Sequence, residues 1–287
     1  MSPGHYPVPM LGAAPGPTTT VLDCPVVEGP TPAAWAGTID TEYFVADHDR
    51  ALVRHDDATL YVAHGTEVVI DVPPDQRLAY DYLLYSIALR LLLVQRGRFT
   101  LHATLVASPD GRAVAITGPG TIGKTTTAVA LTQRGWRLLG DDIVETATGR
   151  DGVTAVAHAR PLHASDALAH RLAVDPAIGR PLPGAAKRVY GLASDPTPRP
   201  LAAVVRLDVG DHEHVAVRRP GALEALPVLA VLSEFAELCQ LPAYRAPFLT
   251  WLTDMLAQVP VLEVVRPKRG TSVDAVADAV EAATEDL

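Results

Sequence analysis

The sequence predicts an α/β protein: a phosphate-loop domain built on a mixed sheet, preceded by a small β-rich region and a helix. Three observations predict it. A Gly-rich stretch at 118–125 fits GxxxxGK[ST] between a strand-like and a helix-like run, an Asp-Asp pair at 141–142 follows about one helix later, and apolar residues alternate with polar ones between 37 and 72. The bulk composition agrees. With 287 residues and 48% hydrophobic side chains the chain can bury a sizeable core, as one large domain or two small ones.

Charge and targeting signals narrow the function classes. A net charge of −9 gives no basic field for a phosphate backbone, so nucleic acid is not an expected partner. Cys24 and Cys239 lie too far apart in sequence for a CxxC or metal cluster and are expected to be buried hydrophobes in a reducing compartment. The opening "MSPGHYPVPMLGAAPGPTTT" has no basic start followed by an apolar run, and residues 1–20 read as a flexible leader. The most apolar run, "YLLYSIALRLLLV" at 82–94, is interrupted by Arg90 and falls short of the ~20 residues a membrane span needs. It reads as a buried helix, so neither membrane nor secretion is expected, and a cytoplasmic location is the expectation.

The elements follow in order. Leu60, Val62, Val68, Ile70 and Val72, with turns at Asp56-Asp57 and His64-Gly65, predict an antiparallel meander. Pro73-Pro74 ends it, Asp75 is placed to cap a helix running to Gln95, and Arg96-Gly97 supplies the stop, giving a first region over 21–97. The second region, 98–287, opens with a hairpin of "LHATLVA" and "RAVAITG" across Ser108-Pro109-Asp110-Gly111. A helix over 124–134, a strand at Trp136–Gly140 and a hairpin of Ile143–Thr146 with Val153–Ala157 come next. Segment 160–200 is rich in Pro, Ala and Arg and has little periodicity. Strands at "LAAVVRLDV" and "PVLEVVR" then accompany helices near 222–238, 246–258 and 272–284, with no internal repeat.

The chemistry concentrates in the loop. Gly118, Pro119, Gly120, Thr121, Ile122, Gly123, Lys124 and Thr125, with Thr126 in the first helical turn, form the expected nucleotide-binding set. Glycines let backbone N–H groups curl around phosphate oxygens, Lys124 supplies a point charge, the Thr125 hydroxyl suits Mg²⁺, and the helix adds its N-terminal dipole. Asp141 and Asp142 fall at the end of the next strand, where carboxylates can order Mg²⁺ and accept a hydroxyl proton. A chance Gly-rich turn and two solvated turn aspartates are the bland alternatives, and the strand–loop–helix context weighs against the first. Small-metabolite kinases of the shikimate or gluconate type share the spacing, although their chains usually start at the loop strand. A nucleotide-binding regulatory module without transfer chemistry is a further alternative, and it has little use for a base at Asp142.

These residues resemble the HPr kinase/phosphorylase family. The resemblance rests on "LH" at 101–102, "GPGTIGKT" at 118–125, "QRGWRLLGDD" at 133–142 and Val144-Glu145. It implies a kinase core of the HPr kinase/phosphoenolpyruvate carboxykinase type, using ATP and Mg²⁺, with Lys124 on the phosphates, Thr125 on the metal, Asp142 as proton acceptor and His102 as a nearby imidazole. Downstream the pattern departs. The family's metal-binding Glu loop is replaced by "HARPLHASDALAHRL" at 158–172, where Asp166 is the acidic candidate to join Asp141 and Thr125 at the metal. Arg160, Lys187 and Arg188 are candidates to hold substrate or transferring phosphate, and with His163, His170, Arg171 and Arg180 they suit a carboxylate-bearing acceptor. The departure turns the expectation from HPr toward another Ser/Thr-bearing acceptor, a peptide or an amino-acid-like small molecule, as in HPr-kinase-like proteins of natural-product pathways. A homo-oligomer is left open.

Overall fold

The structure, a computed structural model, describes residues 11–12, 20–158, 162–181, 187–192, 195–233, 235–236, 238–270, 272–285 and 287. It is a mixed α/β protein with several sheets, and the chain divides into two compact units: residues 15–100 with 234–250, and residues 1–14 with 101–233 and 251–287.

In the smaller unit the alternating pattern becomes an antiparallel meander of Ile39–Asp40, Phe44–Ala46, Arg50–His55, Ala58–Ala63 and Glu67–Asp71. Cys24–Glu28 adds to it in parallel beside Glu67–Asp71. That strand escapes sequence reading because its burial does not alternate cleanly and Pro25 interrupts it. The apolar run is helical from Arg77 to Gln95, passing through a π-helical stretch at Leu83–Ala88. Leu83, Leu84, Leu91, Leu92 and Leu93 are all fully buried, as an all-round apolar helix requires. Asp75 does not cap it: the cap position is Gln76, which makes no side-chain cap bond, because the chain turns at Pro74-Asp75 before the helix begins. Among the described residues no helix is long and apolar enough to cross a membrane.

The larger unit carries the loop. Its mixed sheet runs in the order Arg137–Gly140, Ala103–Ala107, Ala113–Thr117, Arg199–Gly210, with Val261–Pro267 pairing the last of these. The 103–107 and 113–117 strands form the expected antiparallel hairpin, while Ala113–Thr117 lies parallel to Arg199–Gly210, Thr117 opposite Arg206. Helix Lys124–Thr132 presents Ala128, Val129 and Leu131 to a core shared with Ile116 and Val205 of the sheet and with Val276, Ala277 and Val280 of helix Val273–Glu285. Arg134 and Trp136 clamp that last helix from outside, through Asp278 and Glu281.

Two expected elements differ. The helix expected near 222–238 stops at Val231, and the Leu232 carbonyl then accepts the backbone N–H of His102 at 3.0 Å while Ser233 bridges Leu101. Segment 160–200 holds real structure: strand Leu162–Ala164 pairs antiparallel with Arg188–Leu192, and helix Asp166–Arg171 starts at Ser165, whose Oγ accepts from the Leu168 N–H at 3.2 Å. Strands of three and five residues are too short to print a period.

Candidate active site

The Ala113–Thr117 strand ends against its neighbour so closely that only glycine follows it. Gly118 has φ +143°, and a Cβ there would lie 2.6 Å from the Leu207 carbonyl oxygen. The loop then turns through Thr121 at φ 64° and Gly123 at φ 113° into helix Lys124–Thr132. Lys124 is buried, 7% exposed, and its Nζ donates to the carbonyls of Gly118 at 2.9 Å and Pro119 at 3.2 Å. The ammonium is thereby held inside the curl of the loop.

Strand Arg137–Gly140 delivers the aspartates. Gly140 leaves no room for a side chain, since a Cβ would sit 2.5 Å from that of Ala157. Asp141 turns toward the loop helix: its Oδ2 accepts from Thr125 Oγ1 at 3.0 Å, and its Oδ1 accepts from the fully buried Thr104. Asp142 takes the opposite side through an unusual backbone, φ 78°, and its Oδ1 lies 3.0 Å from His102 Nδ1. His102 is anchored in turn, its carbonyl accepting from Thr117 Oγ1 at 2.8 Å. The two carboxylates, adjacent in sequence, therefore face different partners, which spares two like charges a shared environment.

An open cleft of about 320 Å³ gathers these groups. Its lining includes His102, Gly120, Thr121, Gly123, Lys124, Thr125, Thr126, Asp141 and Asp142, and from the 160–190 segment His163, Ser165, Leu168 and Lys187. Ile122 faces a neighbouring cavity instead. Lys187 is exposed and carries no ion pair among the described residues, whereas Arg188 is taken up by Asp166 at 2.9 Å and by the Gly179 carbonyl. Asp166 thus serves Arg188 and does not line the cleft. His170, Arg171 and Arg180 do not line it either, Arg171 facing Asp274, and Arg160 lies outside the described residues.

Of the residues expected to meet an acceptor, His163 and Lys187 line the cleft, while sequence reasoning missed Thr104, Thr117 and Ser165 as parts of this arrangement. A threonine within a strand reads as an ordinary β-former, so only its partner reveals Thr104. Glu145 and His158 also pair, Nε2 to Oε2 at 2.8 Å, both nearly buried, at the base of hairpin Val144–Ala157. Among the described residues no group of three or more His, Cys, Asp or Glu is arranged to hold a metal. Mg²⁺ makes lighter demands when phosphates carry it: adjacent ligands of an octahedral ion at 2.0–2.1 Å lie roughly 2.9 Å apart, and the Thr125–Asp141 oxygen pair at 3.0 Å has that spacing. Those two oxygens fit the ion.

No protein-family model matches the chain, and no curated protein matches its sequence. Among the solved structures that overlap it in part is the HPr(Ser) kinase/phosphatase from Coxiella burnetii. The overlap covers 64% of this chain and 95% of that one, at 14% identity and a TM-score of 0.35. This is a weak structural neighbour and does not place the chain in a family. The side chains around the cleft carry the functional reading.

Proposed function

We propose that the protein is an ATP-dependent kinase that transfers the γ-phosphoryl group to a Ser/Thr-type hydroxyl of a peptide or an amino-acid-like small molecule. The observation that carries this is that two adjacent aspartates lining one cleft take different partners, Asp141 with Thr125 of the loop helix and Asp142 with His102. A binding module needs the first pair; only transfer needs the second.

In this reading the loop's N–H groups and Lys124 hold the phosphates, Lys124 giving up its carbonyl partners for phosphate oxygens. Thr125 and Asp141 would hold Mg²⁺, which would supply positive charge against the negative charge that builds on the phosphate oxygens during transfer. Asp142 accepts the acceptor's hydroxyl proton as the oxygen forms its bond to the γ-phosphorus and the bond to the β-bridging oxygen breaks, leaving ADP. His102 orients the Asp142 carboxylate through Nδ1 and shares the proton it takes. Lys187, exposed at the mouth and free of an acidic partner among the described residues, is available to the incoming group.

The test is mass spectrometry of hydroxyl-bearing peptides and amino acids incubated with Mg·ATP. A gain of one phosphate with the wild type and none with Lys124→Ala supports the reading. ATP binding by the wild type that Lys124→Ala leaves unchanged would sink it.

A further inference from the structure

The cleft is lined by hydroxyls of the chain itself, and one of them stands where an acceptor must stand. Thr121, Thr125 and Thr126 belong to the loop and the first turn of its helix, on the side that cradles a donor's phosphates. Thr125 is taken up by Asp141, and the Thr121 hydroxyl donates to the Gly120 carbonyl at 2.6 Å. A further wall comes from the 160–190 segment as His163, Ser165, Leu168 and Lys187, and among these Ser165 alone carries a hydroxyl. Packing fixes its position. Leu162 and Ala164 before it, and Leu168 and Ala169 after it, are buried in the core that also takes Ala128 and Leu131 of the loop helix. Ser165 Oγ spends one lone pair on the Leu168 N–H at 3.2 Å, which leaves a second lone pair and the hydroxyl proton. The neighbouring Asp166 carboxylate is paired with Arg188 at 2.9 Å, so its charge beside Ser165 is offset. At about 320 Å³ the cleft is at the small end of ligand sites, and phosphates seated on the loop bring the γ-group close to every wall.

We infer that Ser165 is a phosphorylation site served by the cleft of its own chain. The inference rests on the kinase reading above and goes beyond it, because it adds to the external acceptor a hydroxyl that the protein carries itself. In-line transfer puts the attacking oxygen on the far side of the γ-phosphorus from the β-bridging oxygen, which excludes the loop threonines that lie with the donor's phosphates. Ser165 stands outside the loop. Asp142 takes its hydroxyl proton, Oγ bonds to the γ-phosphorus, and the bond to the β-bridging oxygen breaks to release ADP, leaving a phosphate monoester on the chain. That monoester carries about −1.5 to −2 charges at neutral pH. Lys187, exposed and with no ion pair among the described residues, lines the same wall and takes up the new charge. External acceptors enter past the same residues, so the modified chain is the slower kinase and the site limits itself when acceptor is scarce.

Peptide mass spectrometry on the full chain, treated with a phosphatase and then incubated with Mg·ATP without added acceptor, tests this. The expected result is one phosphate on Ser165 of the wild type, none in Lys124→Ala, and a rate lowered roughly 10²–10⁴-fold in Asp142→Asn. Ser165→Asn keeps a capping acceptor for helix Asp166–Arg171 while losing the hydroxyl, so its failure to gain phosphate is not a folding effect, and Ser165→Thr should still gain one. The rate should not depend on protein concentration, and Lys124→Ala mixed with the wild type should stay unmodified. Phosphate on Thr121 or Thr126 instead, or transfer from the wild type to the Lys124→Ala chain, overturns the assignment. So does a chain that stays unmodified although it binds Mg·ATP in calorimetry with an affinity that Lys124→Ala reduces, a result that leaves the kinase reading standing. ATP binding indifferent to Lys124→Ala removes the kinase reading and this inference with it.

Discussion

Asp142 holds its carboxylate beside His102 by accepting φ 78°, a setting that costs a residue other than glycine about 1–3 kcal/mol unless its neighbours impose it. Asparagine tolerates the same backbone, which makes Asp142→Asn a clean substitution. It should keep Mg·ATP affinity and lose phosphoryl transfer by roughly 10²–10⁴, the usual share of positioned proton transfer. Equal losses of binding and rate, measured by calorimetry and single-turnover kinetics, would reassign it to the metal. Thr104→Val removes one of the two hydroxyls that hold Asp141 without changing the core volume. The expected result is a higher Mg²⁺ requirement with acceptor KM unchanged. Of these residues, Lys124, Thr125 and the aspartates were legible because their spacing follows from the geometry of a loop, one helix and one strand. Thr104 and Ser165 were not, since nothing in a lone hydroxyl residue announces the partner it meets in three dimensions.

Strands and helices were legible where they were long and periodic. The hairpin across Ser108–Gly111, the loop helix and the terminal helix Val273–Glu285 all stand within a few residues of their expected bounds. The 160–200 segment was not legible, because its pieces are short and stabilised by contacts distant in sequence. One of those contacts is electrostatic. Asp195 bonds Arg199 at 2.7 Å and Arg137 at 2.9 Å, tying the start of the long central strand to the edge strand that carries the aspartates. Hydrogen bonding to the Arg199 guanidinium, and then to Thr197, holds its carboxyl well below the ordinary value of 3.8. A depressed carboxylate stabilises the fold above its unfolded pKa, and that contribution is lost as pH falls below about 4. Asp195→Asn should therefore be less stable than the wild type by on the order of 1 kcal/mol at pH 7, a modest value because the side chain is a third exposed. The gap in melting temperature should close on acidification below pH 4. A gap independent of pH would show that the pair contributes through packing alone.

At the scale of the whole chain, the sequence pointed to a boundary near residue 97, and the compact units follow a different division, in which 234–250 joins the smaller unit. Within that unit Phe248 packs edge-on against Phe99, ring centroids 5.5 Å apart, and the Tyr244 hydroxyl donates to the His48 carbonyl. Such long-range membership leaves no local mark, because an amphipathic helix does not say which core it will join. Residues 101–287 expressed alone should therefore expose Phe248, Tyr244 and Leu241, which are buried in the full chain, and should melt well below it or aggregate. A fragment with the melting temperature of the full chain would refute this. Helix Pro242–Gln258 sharpens the point, since its first nine residues belong to one unit and the rest, from Trp251, to the other. Covalent continuity and structural continuity thus diverge. A single backbone nick near residue 100 leaves the two units joined through the passages at 233 and 250, so nicked protein should stay assembled where the truncated protein does not.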